Sequence, residues 1–232
     1  MASGNLLIPA GKGGSTPAKT RSLNFLNDPR TSELQKTLAR RDPRLIAPDA
    51  AAQRAAVALI VRTAPRDLEL LFIERPISPS DPWSGHIAFP GGRRNAGEEM
   101  LDTAMRETKE EVGIDLPRNG VLLGRLDDIQ PTRGGPQLAV AAFVFAVPED
   151  TVVRAQPREV AQTFWVPIPH LADPRSAAEH LHILEHGDPQ SFPAVSYKGH
   201  VIWGLTYRML MQFLEIARMA KGDSGTGNRP RW

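Results

Sequence analysis

The chain has 232 residues, 41% of them hydrophobic and 23% charged, with a formal net charge of +2 and no cysteine. That length can bury one substantial core, so one domain with tails is the default. No apolar run approaches the ~20 residues that span a bilayer, the lack of cysteine excludes disulfides, thiolate metal sites and a cysteine nucleophile, and so small a net charge, with Lys and Arg interspersed among acids, argues against nucleic-acid binding.

Residues 1 to about 20 are rich in Gly, Ser, Thr, Pro and Ala and read as a disordered tail. No acid precedes Asp28, so an organellar presequence is the alternative to a cytoplasmic location for a chain with no mark of secretion. The spacing predicts a lead-in helix over 32–40 capped by Ser32. Strands over 55–62 and 68–74 pair across a turn at 64–67, and the first is almost wholly apolar, as a central strand would be. A loop over 77–84 and a short strand over 86–89 deliver the chain to the Gly91-Gly92 turn. Further strands are predicted over 121–129 and 138–147, joined by a loop at 130–136, and over 163–166. The reading places a helix within 169–179, a last strand over 200–203, and an amphipathic helix over 205–219 burying Leu210, Phe213, Leu214 and Ile216. The organisation is a tail and lead-in helix over 1–45, one domain over 46–220 and a tail over 221–232. Strands on both sides of a crossover helix predict an α/β fold, a mixed sheet between helical layers.

Chemistry concentrates between Gly92 and Ile114, which read Gly-x5-Glu-x7-Arg-Glu-Thr-x-Glu-Glu-x-Gly-Ile. On one helix Glu107, Glu110 and Glu111 stand at i, i+3 and i+4, so their carboxylates converge near the negative end of the helix dipole. Uncompensated, that arrangement destabilises the helix; hard divalent cations, which take oxygen ligands, relieve it. Glu-rich helical runs are usually solvated faces. Here Leu101, Ala104, Met105, Thr108 and Val112 recur at helical spacing opposite the acids, which predicts a docked helix with its carboxylates aimed away from the core.

This pattern resembles the Nudix box at every fixed position but one, Thr108, where that family usually carries an aliphatic residue. The resemblance implies a Nudix-type α/β/α sandwich and Mg²⁺- or Mn²⁺-dependent hydrolysis of a nucleoside diphosphate derivative. It further implies that Glu107, Glu110 and Glu111 ligate metal, with the Gly92 carbonyl as an added ligand. Arg106 would orient Glu107 or Glu110, and Glu98 would support the loop–helix junction. The backbone at Gly91 and Gly92 would approach the phosphates. By the same resemblance the general base would be Glu159 or a box glutamate; Glu159 lies in a segment, 158–167, similar to the family's glutamate-bearing segment before a Trp-Val-Pro strand.

A second layer is similar to the coenzyme A pyrophosphatase branch: residues 71–75 ending in Arg75, residues 85–92 ending Phe-Pro-Gly-Gly, and residues 192–194 with 200–206. The loop between the first two departs from that branch. Asp81-Pro82-Trp83-Ser84 stands where a second arginine would be, so weaker recognition of a 3′-phosphate is expected, with Arg93 and Arg94 as substitutes. Trp83 is a candidate for stacking on the substrate. The implied substrate is coenzyme A or an acyl-CoA, cleaved to 3′,5′-ADP and (acyl-)phosphopantetheine. The alternatives are ADP-ribose, NADH or a dNTP as substrate, or a non-catalytic nucleotide sensor. A small nucleotide is the expected partner, with neither nucleic acid nor membrane; a homodimer is compatible with the sequence. His180, His182 and His186 lack the spacing of a zinc site and read as surface or packing residues.

Overall fold

The computed structural model describes residues 27–47, 51–79, 83–131, 138–183 and 188–222. In chain order the elements are α1 (Pro29–Ala39), β1 (Gln53–Thr63), β2 (Leu68–Glu74), β3 (Ile87–Ala88), β4 (Gly91–Arg93), α2 (Met100–Val112), α3 (Leu116–Asn119), β5 (Val121–Arg125), β6 (Leu138–Val147), β7 (Gln162–Pro167), α4 (Ile168–Leu171), one 3₁₀ turn (Pro174–Ser176), β8 (Ala177–Ile183), β9 (Pro189–Tyr197), β10 (His200–Ile202) and α5 (Gly204–Ala220).

Among the described residues, seven strands form one mixed sheet, in which β1 pairs in parallel with β6 along ten residues and antiparallel with β2. β1 and β6 are apolar throughout because both of their faces are covered. Ala55, Leu59 and Val61 with Val140, Ala142 and Val144 face α1 and α5. Ala56, Ala58 and Ile60 with Ala141, Phe143 and Phe145 face α2 and α3. The period-2 alternation of strands thus feeds two cores, one on each side of the sheet. The fold is α/β, a mixed sheet between helices.

Near residues 61–63 β2 pairs with β1, then the two diverge. β3 fills the gap by pairing with Ile73 and Glu74, and β4 by pairing with residues 55–57 of β1. This gap is where the site forms.

Three elements differ from the sequence reading. α1 begins at Pro29 rather than residue 32, because Asp28 caps it: its carboxylate accepts the Arg30 N–H at 2.9 Å, and Pro29 needs no donor partner at the first position. β5 ends at Arg125 rather than at 129. Arg41 and Arg44 hold Asp127, and Arg125 holds Asp128 at 2.6 Å, pulling the chain off the ladder until Ile129 rejoins it opposite Val140. Where a helix was expected over 169–179 there are only short helical turns up to Ser176, and from Ala177 the chain enters a separate three-stranded sheet, β10–β9–β8, absent from the sequence reading apart from its last strand. Residues 1–26, 132–137 and 223–232, and with them most of the predicted tails and of the 130–136 loop, lie outside the described residues, as do Asp81, Pro82 and His186.

Candidate active site

α2 packs against the sheet through Ala104 and Val112, with Leu101 and Met105 beside them. Gly113 ends it in the left-handed conformation, φ 70°, as the Gly at the end of the acidic run implied. Thr108, the departure from the family pattern, is fully buried, and its hydroxyl donates to the Ala104 carbonyl at 2.7 Å. A polar atom is thereby accommodated where an aliphatic side chain would otherwise sit.

The acidic residues of α2 divide. Glu110 faces solvent. Glu107 and Glu111 reach past β4 toward the other side of the sheet, and Glu111 is 3% exposed. That burial corrects the expectation that all three carboxylates turn away from packed protein. The two glycines of β4 make room for them. The Gly91 N–H donates to Glu111 Oε2 at 2.8 Å, and a Cβ on Gly92 would stand 2.5–2.7 Å from the Glu107 carboxylate. A Cβ on Gly91 would run into the Ala56 carbonyl and Val57.

Arg106 organises the outer side. Its guanidinium donates to Glu98 and Glu107, both at 2.8 Å, to Glu110 at 2.9 Å and to the Arg93 carbonyl at 3.1 Å. Glu98 in turn accepts from the Asn95 N–H and from Thr103 Oγ1, which ties the loop to the first turns of α2. The Arg106 hydrogen bond holds the Glu98 carboxyl down at about 2. Burial acts the other way on the inner pair. It pushes Glu111 up to about 8, against the Gly91 hydrogen bond and with the Glu107 charge adding to it, and it raises Glu107 as well. The Glu159 carboxylate contributes to the repulsion on both, and Arg75 eases it on Glu111.

These groups open onto a cavity of about 1130 Å³. Of the residues singled out in the sequence, Arg75, Trp83, Gly91, Gly92, Arg93, Glu107, Glu111 and Glu159 line it. Arg106 and Glu110 stand behind, and exposed Arg94 lies outside, its side chain toward the Glu98 carbonyl at 3.5 Å. The sequence assigned no site role to several lining residues, among them Trp203 and Phe192, which lie in the segments 200–206 and 192–194, and His182 and Arg208, which lie outside them. Trp203 is ringed by His180, His86, His182 and Phe192, with ring centroids 3.9, 4.7, 4.9 and 5.8 Å away, and Arg208 of α5 lines the wall near Leu138 and Val140. The alternation in residues 178–182 could have revealed the histidine row, because Ala178, His180 and His182 share one face of β8.

Among the described residues no three His, Asp or Glu side chains converge tightly enough to hold a metal as placed, since Glu110 is turned onto Arg106. The donor set nevertheless suits a hard cation. Glu107 is paired with Arg106 on its outer side, while Glu111 beside it is buried with a lone backbone N–H as its hydrogen-bond partner, so the carboxylate pair still has oxygens to offer a cation on the cavity side.

A family model described as "NUDIX domain" matches residues 52–187. The chain is 39% identical over 110 residues to an uncharacterized protein of Schizosaccharomyces pombe, covering 45% of this chain and 33% of that protein. It is 31% identical over 134 residues to "Uncharacterized Nudix hydrolase NudL" of Photorhabdus laumondii, covering 57% and 68%. To "Mitochondrial coenzyme A diphosphatase NUDT8" of Homo sapiens it is 30% identical over 126 residues, covering 53% and 51%. The chain thus spans between a third and about two thirds of the length of these relatives. A domain match over more than half of the chain, on a mixed sheet whose glycine strand and acidic helix meet at one cavity, places it: the chain belongs to the Nudix family.

Proposed function

We propose that the chain hydrolyses the diphosphate of a nucleoside diphosphate derivative, with coenzyme A or an acyl-CoA as the substrate. The observation that carries this reading is the buried Glu111 beside Glu107 at the Gly91–Gly92 turn, facing a cavity that also presents Arg75 and Arg93. Glu107, Glu111 and the Gly92 carbonyl would hold the metal, joined by Glu110 when it leaves Arg106. Mg²⁺ or Mn²⁺ bound there would neutralise phosphate charge and acidify water.

The chain's own part is positioning. The bare β4 backbone admits phosphate oxygens close to the carboxylates, and Arg75 offers a planar fork to them. Glu159, exposed at the cavity edge, or a box glutamate takes the proton as water oxygen bonds to phosphorus and the bridging P–O bond breaks. From coenzyme A the products are 3′,5′-ADP and phosphopantetheine. The name of the human relative favours this substrate, as do Arg75, the Phe89–Gly92 run and residues 202–206, all at or beside the cavity. The word "mitochondrial" in that name also supports an organellar presequence as the alternative to a cytoplasmic location, although residues 1–26 lie outside the described structure; no described helix is long and apolar enough to cross a membrane.

The test is phosphate-ester release, with and without Mg²⁺ or Mn²⁺, from coenzyme A, ADP-ribose, NADH, dinucleoside polyphosphates and dNTPs. Cleavage of coenzyme A at the diphosphate, together with a metal-dependent rise in Tm, is the expected result. Turnover of another compound alone would overturn the substrate; turnover of none, with no metal-dependent shift, would overturn the enzyme.

A further inference from the structure

The cavity holds a cation that the diphosphate chemistry does not use. Arg208 lies in the second turn of α5, half-buried, and its Nη1 donates to the Gln130 carbonyl at 2.5 Å. Among the described residues that carbonyl is its one polar partner, and no carboxylate pairs with it. Pro131, next to that carbonyl, and the apolar Leu138, Val140 and Leu205 line the same cavity. Burial lowers its pKa and no acid offsets that shift. A cation kept on an apolar wall without a counter-charge costs stability. A neutral carbonyl occupies one of its five N–H donors, so most of a planar fork suited to phosphate oxygens is left over.

Its place in the fold separates it from the metal end. Gly91 of β4 pairs with Val57 of β1, Ala55 of β1 pairs with Val140 of β6, and Ile129, next to Gln130, bridges Val140 from the far side. Arg208 is therefore anchored two to three strand spacings, roughly 10–15 Å of backbone, from the glycine turn. One anionic group cannot occupy both ends. A nucleotide with its diphosphate at Gly91–Gly92 and a second phosphate on its ribose has charge at both.

We propose that Arg208 binds a phosphomonoester on the ribose of the substrate, so that the site selects nucleoside diphosphate derivatives carrying a third phosphate. This rests on the proposed hydrolase reading and deepens it: in coenzyme A the group is the 3′-phosphate. It also reassigns the contact expected of Arg93 or Arg94. Arg94 lies outside the cavity, and the Arg93 carbonyl is bound to Arg106 beside the metal end.

The test compares ratios in wild type, Arg208→Gln and Arg208→Lys. The first ratio is kcat/KM for coenzyme A over its 3′-dephospho form. The second is the affinity for 3′,5′-ADP over 5′-AMP, measured by calorimetry without turnover. Both ratios should be ~10- to 100-fold in wild type, the range of one charge-assisted contact. In Arg208→Gln they should fall to within about threefold of unity, and Arg208→Lys should keep part of each. A wild-type ratio near unity, or one unchanged in Arg208→Gln, would overturn the assignment. If neither form of coenzyme A is cleaved, the hydrolase reading for that substrate fails, and the affinity ratio still decides the role of Arg208.

Discussion

Gly92 has no side chain because the Glu107 carboxylate occupies the space a Cβ would take. In Gly92→Ala the flexible glutamate end moves more readily than the sheet does. The expected outcome is a fall in kcat of ~100-fold, the cost of misplacing a reacting group by about an ångström, with Tm nearly unchanged; steady-state kinetics beside thermal unfolding checks it. Thr108 makes the opposite case. Its hydroxyl serves only the Ala104 carbonyl, so Thr108→Val should leave kcat unchanged and alter stability by ~1 kcal/mol or less, ~2–4 °C in Tm, in the stabilising direction. At this scale the spacing of Glu107, Glu110 and Glu111 was legible because helical periodicity follows from residue order alone. The burial of Glu111 was not, because a charged residue on an acidic face reads as solvated and the space that admits it belongs to β4. Arg208 carried no signal, since its meaning lies in what it touches.

The loop from β4 into α2 and the first turns of the helix are held by Arg106 and Glu98 together. With the Arg106 hydrogen bond holding Glu98 at about 2 against an ordinary 4.5, ionised Glu98 favours the folded state. The stability it contributes is therefore present above pH 4.5 and is lost as pH falls from there through about 2. Acid unfolding of Arg106→Gln should show a shallower loss across that window than wild type. Its kcat should also drop ~10- to 100-fold as Glu107 and Glu110 lose their common partner. An unchanged acid transition would contradict the role given to this pair. Elements were legible where both faces of a strand are covered: β6 matches its apolar run residue for residue. The β8–β9 hairpin was not legible, because Leu181 and Ile183 point outward while the histidines point in, and because Pro189 and Pro193 argue against a strand. Pairing with a neighbouring strand overrides both signals.

At the scale of the molecule, the sheet divides structural and chemical work between its faces. α2 presses on one side, and its carboxylates emerge on the other through the gap that β2 leaves by diverging from β1. α1 belongs to this packed unit, with Leu34 and Leu38 in the core beneath α5. Leu34→Ala should accordingly cost ~2–5 kcal/mol, visible as a lower denaturant midpoint, while the kinetics of the folded fraction stay as in wild type. A mixed sheet flanked by helices followed from the order of apolar runs; the cavity did not, since it is assembled from β1, β3, β4, α2, β6, the β8–β9 hairpin and α5, which span most of the described sequence. The claim on which everything else rests is that Glu111 holds a divalent cation for diphosphate hydrolysis. The most direct measurement is Glu111→Gln assayed for Mg²⁺-dependent turnover of the best substrate and for the Mg²⁺-induced rise in Tm. The account predicts kcat lower by ~100-fold or more and the metal-induced rise greatly reduced, in a protein that folds as wild type does. Turnover within about threefold of wild type, with the full metal-induced rise, would contradict it.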